Sequence, residues 1–328
     1  MSTPKVAVII PFFQRESGIL ATALRSIVAQ QYPSGSLRIV IVDDGSPVPP
    51  AHDLAQVPLP ASLHVDIIRQ KNAGPNEARN AGLETLGSDV DVIAYLDSDD
   101  EWIGNHLSRA VGAIASGYTA YFSNLYHLGD TTPEFEKAKR VRIDEHGIVG
   151  GDPTLRAYQG DMMSQIAIAN IIFMPTLAVD AKALGEVRFP HGHRHGGGDY
   201  LYWMALVEHG ARFAFSTLSE VRCGRGINMW YGSGWGTDGW AHRLRDEARF
   251  RTTALEHYVI APAARAAVRE RLVALQSGMV QDVIHRLRRK QPVNWSLVRQ
   301  FFKETPLSFR SIREIAGHFG RRAFSRTD

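Results

Sequence analysis

Cysteine is nearly absent from this sequence: Cys223 is the single thiol among 328 residues. One thiol excludes an intramolecular disulfide framework and a thiolate cluster for zinc or iron–sulfur, and it fits a reducing compartment. We interpret Cys223 as a bystander rather than a nucleophile. Long apolar runs are absent too. No stretch of about 18 apolar residues could span a bilayer, and the opening MSTPKVAVIIPFF lacks the basic and long apolar regions of a secretion signal. We therefore expect a cytoplasmic protein.

Acidic residues are scarce near the C-terminus. From Arg286 onward, eleven lysines and arginines face three acidic residues, although the whole chain is nearly balanced, with 37 basic and 34 acidic residues. Apolar residues are interleaved with these charges: Phe301, Phe302, Leu307, Phe309, Ile312, Ile315, Phe319 and Phe324. This composition suits helices that make a peripheral membrane contact, at the inner face of the cell membrane. Packing on the rest of the chain or a homodimer would use the same apolar stripe, so both interpretations stay open.

A basic segment also raises the question of nucleic acid. The remainder of the chain is net acidic, and no recognisable nucleic-acid-reading motif is present. We therefore expect no nucleic-acid partner.

The first hundred residues alternate short apolar runs with helical patterns, as a parallel sheet with crossover helices requires. The predicted strands are KVAVIIPFF, RIVIVDDGS, HVDIIRQ and DVIAYL. The predicted helices are GILATALRSIVAQ and NEARNAGLETL, the second with Asn76 as its cap. The fold class is therefore α/β.

The middle of the chain is less regular. We predict strands at GYTAYFSNLYHL, NIIFMPTLAV and ARFAFST, and a helix at DYLYWMALVEHG that ends at Gly210. A passage rich in Gly and Trp, GRGINMWYGSGWGTDGW, then interrupts the pattern and predicts a loop. From about Trp240 the pattern is helical, with a break at Gln291-Pro292.

Carboxylates follow two of the predicted strands. Asp43 and Asp44 follow one, and YLDSDDEW places Asp97, Asp99 and Asp100 directly after another. Ligands of open α/β sheets bind outside the carboxyl ends of strands, so both groups can face one crevice. Clustered carboxylate oxygens fit Mg²⁺ or Mn²⁺, which commonly bridges a diphosphate. A solvated acidic turn is the alternative for the Asp97-Ser98-Asp99 sequence.

Four motifs, VIIPFFQRE, VDDGS, NAGPNEARNAG and YLDSDDEW, occur in this order. In order and spacing they resemble the inverting glycosyltransferases of family 2, and especially those that assemble succinoglycan-type bacterial exopolysaccharides. The clear match spans about residues 5–105 and continues more weakly to about 235. The resemblance implies a GT-A nucleotide-diphospho-sugar transferase fold, with a mostly parallel central sheet flanked by helices. It also implies a catalytic domain at 1–238, followed by a basic helical region at 239–328.

The resemblance also implies roles for individual residues in binding a UDP-sugar. Pro11 and Phe13 would line the nucleotide pocket, and Asp44, with Asp43, would accept a hydrogen bond from the uracil imide. Capping of the Gly45-Ser46 turn is the alternative for this pair. Further donor-binding positions on the same basis are Glu16, Asn72, Arg79, Asp97, Ser98, Arg225 and Trp230.

The same resemblance implies a divalent metal, Mn²⁺ or Mg²⁺. Asp99 would be its principal ligand, with Asp97 beside it and facing ribose or sugar hydroxyls. Asp100 and Glu101 would instead begin the next helix. Arg79 would approach the diphosphate or the sugar, and an exposed surface arginine is the alternative.

Inverting transfer requires a base for the acceptor hydroxyl. In the resembled family the base is the Asp of a Glu-Asp pair that opens a helix. The sequence GGGDYLYW supplies Asp199, but Gly198 stands where the family has Glu. A helix cap is the alternative role for Asp199. The nearby His191, His193 and His195 suggest an acceptor-facing or exposed loop rather than a zinc site.

A Gly-rich segment carries further candidates. Arg222, Arg225 and Trp230 would form a lid over the UDP-sugar. Trp235 and Trp240 suit stacking on sugar rings or burial in a core.

The resemblance thus favours transfer of a hexose from a UDP-sugar to a saccharide or lipid-linked saccharide acceptor. We expect the hexose to be glucose. A non-catalytic sugar-nucleotide binder is an alternative because the Glu before Asp199 is missing. An NDP-sugar nucleotidyltransferase is another, although PFFQRESG is a poor version of the Gly-rich basic loop that it would need.

Overall fold

A computed structural model describes residues 3–225, 234–313 and 316. The chain separates into two compact units. The first contains Met1–Met162, Ala169–Arg194 and Tyr202–Ile227, and the second contains Met163–Ile168, His195–Leu201 and Asn228–Asp328. The domain boundary expected after residue 238 stays a prediction.

The first unit is built on one mixed sheet, in which the described residues form ten strands. The strands are β1 (Val6–Phe12), β2 (Leu37–Asp43), β3 (His64–Arg69), β4 (Val92–Tyr95), β5 (Glu101–Trp102), β6 (Ala120–Tyr126), β7 (Gly147–Val149), β8 (Asp152–Ala157), β9 (Ala178–Asp180) and β10 (Phe213–Arg222). Their order is β3-β2-β1-β4-β9-β6-β10-β8-β7, and β5 pairs with β10.

The strands β3, β2, β1 and β4 are mutually parallel and lie side by side. The chain adds β2 and β3 on one side of β1 and β4 on the other, so its direction reverses at β1. This switch point places the carboxyl ends of β2 and β4 on either side of β1, at the edge where ligands bind in open α/β sheets. The two acidic groups predicted from the sequence follow these two ends.

The chain also forms eleven helices within the described residues. They are α1 (Ile19–Val28), α2 (Ala51–Leu54), α3 (Pro75–Glu84), α4 (His106–Ala115), α5 (Glu134–Ala138), α6 (Met162–Ile168), α7 (Ala181–Leu184), α8 (Gly198–Glu208), α9 (Asp238–His257), α10 (Pro262–Arg288) and α11 (Trp295–Glu304). None of these described helices is long and apolar enough to cross a membrane.

Helices cover both faces of the parallel strands. On one face, Leu20, Leu24 and Ile27 of α1 join the core formed by alternate residues of β1 and β2. On the other, Ala78 of α3 packs with the β2 side chains. Gly82 of α3 permits a close approach, because a Cβ there would lie 2.8 Å from Ile9 Cγ2. Strands β1, β2 and β4 are buried along almost their whole length, which requires the near-continuous apolar runs seen in the sequence.

Three local predictions are wrong. Asn76 is not a cap: α3 begins at Pro75 after Gly74, since proline suits the first helical position and lacks the N–H that would be left unbonded. Glu101 does not begin a helix, because it pairs in β5 with β10, and α4 starts only at His106. The stretch NIIFMPTLAV forms a 3₁₀ turn around Pro175, and only its end enters β9.

The second unit contains α9, α10 and α11, as the helical pattern after Trp240 predicts. Its apolar core contains residues from all three helices: Ala241, Leu244, Ala248, Leu275, Met279, Leu297 and Phe301. The predicted break at Gln291-Pro292 is confirmed, because α10 ends at Arg288 and α11 begins at Trp295.

Candidate functional site

The loop after β4 gathers carboxylates within a tight turn. The Asp100 N–H donates to the Asp97 carbonyl at 3.0 Å. Asp97 and Asp99 are half-buried, whereas Asp100 is buried. Burial, together with the nearby negative charges of Asp99 and Asp97, raises the pKa of Asp100 well above its ordinary value. The Gly224 N–H donates to Asp100 Oδ1 at 3.0 Å and opposes this rise. The loop therefore brings three carboxyl groups close together.

Arg79 supplies the positive charge beside this loop. Its Nη2 donates to Asp97 Oδ1 at 2.6 Å, and only 4% of its side chain is exposed. Its guanidinium also lies 5.4 Å from the ring centre of Phe189. The alternative of an exposed surface arginine is therefore wrong. Arg79 projects from α3 and holds Asp97, which follows β4, in place.

Asp43 and Asp44, at the end of β2, organise two turns. Asp43 Oδ1 accepts the Ser46 N–H at 2.7 Å, which is the turn-capping contact expected as an alternative. Asp44 Oδ1 accepts the Ala73 N–H at 2.7 Å, and Oδ2 accepts the Gly74 N–H at 2.8 Å. Both side chains are nearly inaccessible to solvent. Asp44 thus fixes the backbone that leads into α3, and contact with uracil stays a prediction.

The turn that Asp44 holds requires glycine and a second anchor. Gly74 has φ +105°, and a Cβ there would lie 3.3 Å from Arg194 Cγ. Asn72 donates to the Asp44 carbonyl at 2.9 Å and accepts a hydrogen bond from the Arg194 guanidinium. Sequence reasoning missed Arg194, which lies 122 positions from Asn72. The only available signal was its place in the Gly- and His-rich loop.

Gln14 joins three strand ends, and sequence reasoning missed it as well. Its backbone N–H donates to Ser46 Oγ at 3.2 Å, and its Nε2 donates to Ser98 Oγ at 3.1 Å. Gln14 follows β1, Ser46 follows β2 and Ser98 follows β4. The buried amide therefore connects the loops that carry the two acidic groups. Its position inside the PFFQRE motif was a usable signal.

The other predicted donor-binding residues occupy varied positions. Pro11 is buried in β1 opposite Val42, and Phe13 is half-buried after that strand. Glu16 and Arg225 are exposed in loops, and Arg222 pairs with Glu101 at 3.1 Å. Trp230, the third residue of the expected lid, lies outside the described residues, and the lid stays a prediction.

Asp199 lies in the first turn of α8 and is half-buried. A carboxylate is favoured at this positive end of a helix. The preceding Gly197 has φ +78°, and a Cβ there would lie 2.7 Å from Phe250 Cβ and 2.8 Å from the Asp246 carbonyl. This glycine therefore allows the start of α8 to pack directly against α9.

The three alternating histidines have separate partners. His191 lies 2.8 Å from a Glu77 oxygen. The backbone N–H of His195 donates to Asp246 Oδ2 at 2.9 Å, and the His195 ring stacks on the His242 ring. His193 is buried. Across residues 3–225, 234–313 and 316, no three His, Cys, Asp or Glu side chains converge as ligands for a metal.

A two-carboxylate site nevertheless fits Mg²⁺ or Mn²⁺. Magnesium usually takes one or two protein carboxylates, and substrate phosphates and waters complete its shell. Asp97 and Asp99 are hard oxygen donors in this loop, and their negative charges repel that of Asp100, which adds to the effect of burial in raising the pKa of Asp100. A divalent cation would relieve that repulsion.

Cys223 lies near this loop but is not suited to be a nucleophile. Burial, followed by the charges of Asp100 and Asp97, raises the pKa of its thiol far above the ordinary value. A nucleophilic cysteine needs the opposite shift, because the thiolate is the reactive form. The raised pKa agrees with the interpretation of Cys223 as a bystander.

Comparisons with known proteins agree with this architecture. Residues 7–176 match the family model described as Glycosyl transferase family 2. The chain is 31% identical to the succinoglycan biosynthesis protein ExoW of Rhizobium meliloti over 236 residues, which are 69% of this chain and 71% of that protein. It is 30% identical over 139 residues to the GalNAc(5)-diNAcBac-PP-undecaprenol beta-1,3-glucosyltransferase of Campylobacter jejuni, covering 40% of this chain and 42% of that protein.

A solved structure shows the same fold. The crystal structure of S. aureus TarS 1-349 in complex with UDP-GlcNAc superposes with a TM-score of 0.60 at 15% sequence identity. The superposition covers 92% of this chain and 82% of that one. The family model covers more than half of the chain, and ExoW is related to it across most of both proteins. This chain therefore belongs to glycosyl transferase family 2, has the GT-A fold and is a glycosyltransferase.

Proposed function

We propose that this enzyme transfers a hexose, glucose in the first instance, from a UDP-sugar to a saccharide hydroxyl with inversion at the anomeric carbon. The product would be a bacterial exopolysaccharide or another surface glycan. One observation carries the proposal: the carboxylates after β4 lie with buried Arg79 at the same sheet edge as the Asp44-held turn. Family membership and the relationship to ExoW support it.

The donor would bind at the ends of β1, β2 and β4. Pro11 and Phe13 would contact the nucleotide, and Asp43 and Asp44 would orient the uracil, directly or through the turns that they hold. A donor with a nucleotide diphosphate agrees with the UDP-GlcNAc bound to TarS. Glu16, Asn72, Ser98 and Arg225 complete the proposed donor contacts.

Asp99 would be the principal metal ligand and Asp97 the second. When bound, Mn²⁺ or Mg²⁺ supplies a Lewis acid that stabilises negative charge on the departing diphosphate. Arg79 holds Asp97 through the 2.6 Å contact, so the orientation of Asp97 does not depend on the ligand. The buried guanidinium also offsets part of the repulsion within the loop.

Asp199 would be the general base. As the acceptor oxygen forms its bond to the anomeric carbon, the bond from that carbon to the β-phosphate oxygen breaks, and UDP leaves with the electron pair. The hydroxyl proton passes to an Asp199 carboxylate oxygen. Attack on the face opposite UDP produces inversion. Gly198 removes the family's neighbouring carboxylate but leaves the base itself.

The acceptor would be a saccharide, carried in the cell by a lipid. The name of the Campylobacter jejuni relative specifies an undecaprenol-linked acceptor, which supports this choice. Such an acceptor would place the reaction at the inner face of the cell membrane, with the enzyme in the cytoplasm.

The test combines turnover with donor binding. UDP release from a panel of UDP-hexoses would be measured with Mn²⁺ and with Mg²⁺, and UDP affinity would be measured by calorimetry with and without metal. We expect Asp99→Asn to abolish the metal-dependent gain in UDP affinity. Asp199→Asn should keep UDP-sugar affinity and lower transfer by about 10² to 10⁴, the usual contribution of a general base. Asp144→Asn, an exposed carboxylate outside the site, is the matched control.

A second candidate is a sugar-nucleotide binder without catalysis, which the glycine at position 198 favours. It would bind UDP-sugars with the same metal dependence but release no UDP from any of them. Unchanged metal coupling in Asp99→Asn would remove Asp99 from the site, and wild-type transfer by Asp199→Asn would refute its role as base.

A further inference from the structure

The C-terminal end of the second unit exposes large apolar side chains. Trp295, Leu307, Phe309 and Ile312 are all exposed, and the accessible fractions of Phe309 and Ile312 reach 84% and 52%. Single exposed apolar residues are ordinary on a protein surface. Four of them occur within residues 295–312, a concentration along the chain that an interaction would explain. We call this group, with the cations described below, the C-terminal surface.

The fold itself holds these side chains outward. Ser311 is fully buried, and its hydroxyl donates to Gln276 Oε1 at 2.5 Å. Gln276 Nε2 donates to the carbonyls of Thr305 and Pro306, each at 3.0 Å. These contacts fasten the chain on both sides of Leu307 to α10. Phe309 and Ile312, in the same segment as the buried Ser311, stay exposed.

Helix α11 has two distinct faces. Leu297 and Phe301, one turn apart, are buried in the core of the second unit. Trp295, Arg299 and Lys303, also at four-residue spacing, are exposed. Residues four apart lie on the same side of a helix, so the outer side presents one aromatic ring followed by two cations.

The charges on this surface are almost all positive. Exposed cations occur at Arg288, Arg289, Lys290, Arg299, Lys303, Arg310 and Arg313. Between residues 287 and 313 the sequence has one acidic residue, Glu304. The guanidinium of Arg245 donates hydrogen bonds to both carboxylate oxygens of Glu304, at 2.8 and 2.7 Å. Arg310 lies 3.8 Å from Glu270, but both side chains are exposed, so this pair neutralises little.

This charge pattern identifies the class of partner. In a symmetric dimer the same patch meets itself, so its cations would oppose each other while the apolar residues made contact. An anionic partner removes that repulsion. Exposed aromatic and aliphatic side chains interleaved with lysine and arginine match the boundary of an anionic bilayer, where the rings enter the interface and the cations meet lipid headgroups.

We propose that the C-terminal surface docks this enzyme on an anionic phospholipid bilayer. Phe309, Ile312, Leu307 and Trp295 enter the interfacial region, and the surrounding lysines and arginines contact phosphate groups. The proposal rests on exposure and charge in the second unit and does not depend on the proposed reaction. Its failure would leave the transferase assignment unchanged.

The experiment is vesicle cosedimentation of the full-length protein. Vesicles of phosphatidylcholine would be compared with vesicles that contain about 30% phosphatidylglycerol. We expect at least about tenfold stronger partitioning to the anionic vesicles, and a large loss of binding in about 0.5 M salt, because screening weakens the headgroup contacts. Equal partitioning to the two vesicle types, or no binding to either, would overturn the proposal.

Two variants assign the binding to this surface. Arg310→Gln with Arg313→Gln should weaken partitioning to the anionic vesicles at least about fivefold, because each lysine or arginine close to an anionic membrane contributes to the binding free energy. Phe309→Ser with Ile312→Ser should weaken it similarly through loss of buried apolar area. Arg25→Gln with Arg142→Gln, exposed arginines of the first unit, is the matched control.

The same variants also test whether a different partner binds the C-terminal surface. Because all four substituted residues are exposed, thermal unfolding midpoints should match those of the parent protein. Normal vesicle binding by both surface variants would overturn the proposal. So would a micromolar dimer, seen by sedimentation, that the Phe309 and Ile312 substitutions dissociate. Tighter, surface-dependent retention of an oligonucleotide than of vesicles would assign the surface to nucleic acid instead.

Discussion

Arg79 shows how one buried side chain prepares the proposed donor site. Its guanidinium contacts Asp97 on one side and the Phe189 ring on another, and almost none of it is exposed. A buried arginine is stable only when its charge is paired. Asp97 therefore serves both structure and the proposed ligand binding, and the two roles can be separated by measurement.

We expect Arg79→Gln to destabilise the protein by about 2–3 kcal/mol, because it leaves a half-buried carboxylate without its cation. It should also lower kcat/KM for the UDP-sugar by weakening control of Asp97. Chemical unfolding and steady-state kinetics measure the two effects. Arg38→Gln is the control, since Arg38 pairs with Asp66 at 2.7 Å on a more accessible part of the sheet. Its expected cost is below about 1 kcal/mol. Equal costs for the two variants would contradict the argument.

At the scale of secondary structure, the start of α8 depends on its close contact with α9. Gly197 lies against Phe250 and the backbone of Asp246, and Asp246 in turn accepts the His195 N–H. The glycines before Asp199 thus permit packing as well as a positive φ. This contact sets the direction in which the first turn of α8 leaves the loop, and hence the position of Asp199.

We expect Gly197→Ala to destabilise the protein by about 2–4 kcal/mol, through backbone strain and a clash with Phe250. Transfer should fall more than UDP affinity, because the displaced group is the proposed base. Gly129→Ala isolates the strain, since Gly129 has φ +77° but a Cβ added there would meet no atom within 4 Å. Thermal unfolding and transfer assays on both variants decide the question. Similar losses in the two would show that packing against α9 has no effect.

At the scale of the whole molecule, charge is distributed unevenly along the chain. The sheet edge of the first unit concentrates carboxylates, whereas the C-terminal surface of the second concentrates cations. Each cluster lowers the stability of the unliganded protein, because like charges repel. A ligand of opposite charge should therefore stabilise the unit to which it binds.

We expect UDP with Mn²⁺ to raise the unfolding midpoint of the full chain by roughly 3–6 °C at a hundredfold excess over its dissociation constant. UDP or Mn²⁺ alone should have a smaller effect, because each would supply only part of the site. Differential scanning calorimetry measures the shift, and Asp99→Asn should remove the synergy while Asp144→Asn retains it. Additive effects of UDP and metal in the parent protein would argue against a shared site.

The local pattern of the sequence was enough to predict the parallel half of the sheet. Apolar runs specify β1, β2 and β4 because strands buried on both faces must be apolar throughout. Parallel strands end at a common edge, so the aspartates after β2 and β4 could be placed there without coordinates. The same reasoning failed for NIIFMPTLAV, where Pro175 and the surrounding packing produced a turn.

The partner of each charged group was decided only by the tertiary structure. Asp97 and Asp44 are both aspartates after a strand, yet one binds Arg79 and the other binds the backbone before α3. The side chain of Gln14 donates a hydrogen bond to Ser98, which lies 84 positions away in the sequence. Phe301 and Phe309 belong to one apolar stripe in the sequence, but the first is buried and the second exposed. Sequence spacing sets strands and helices because their hydrogen bonds and side-chain periods are local, whereas burial and ion pairing depend on which distant segments the packed chain brings within a few ångströms.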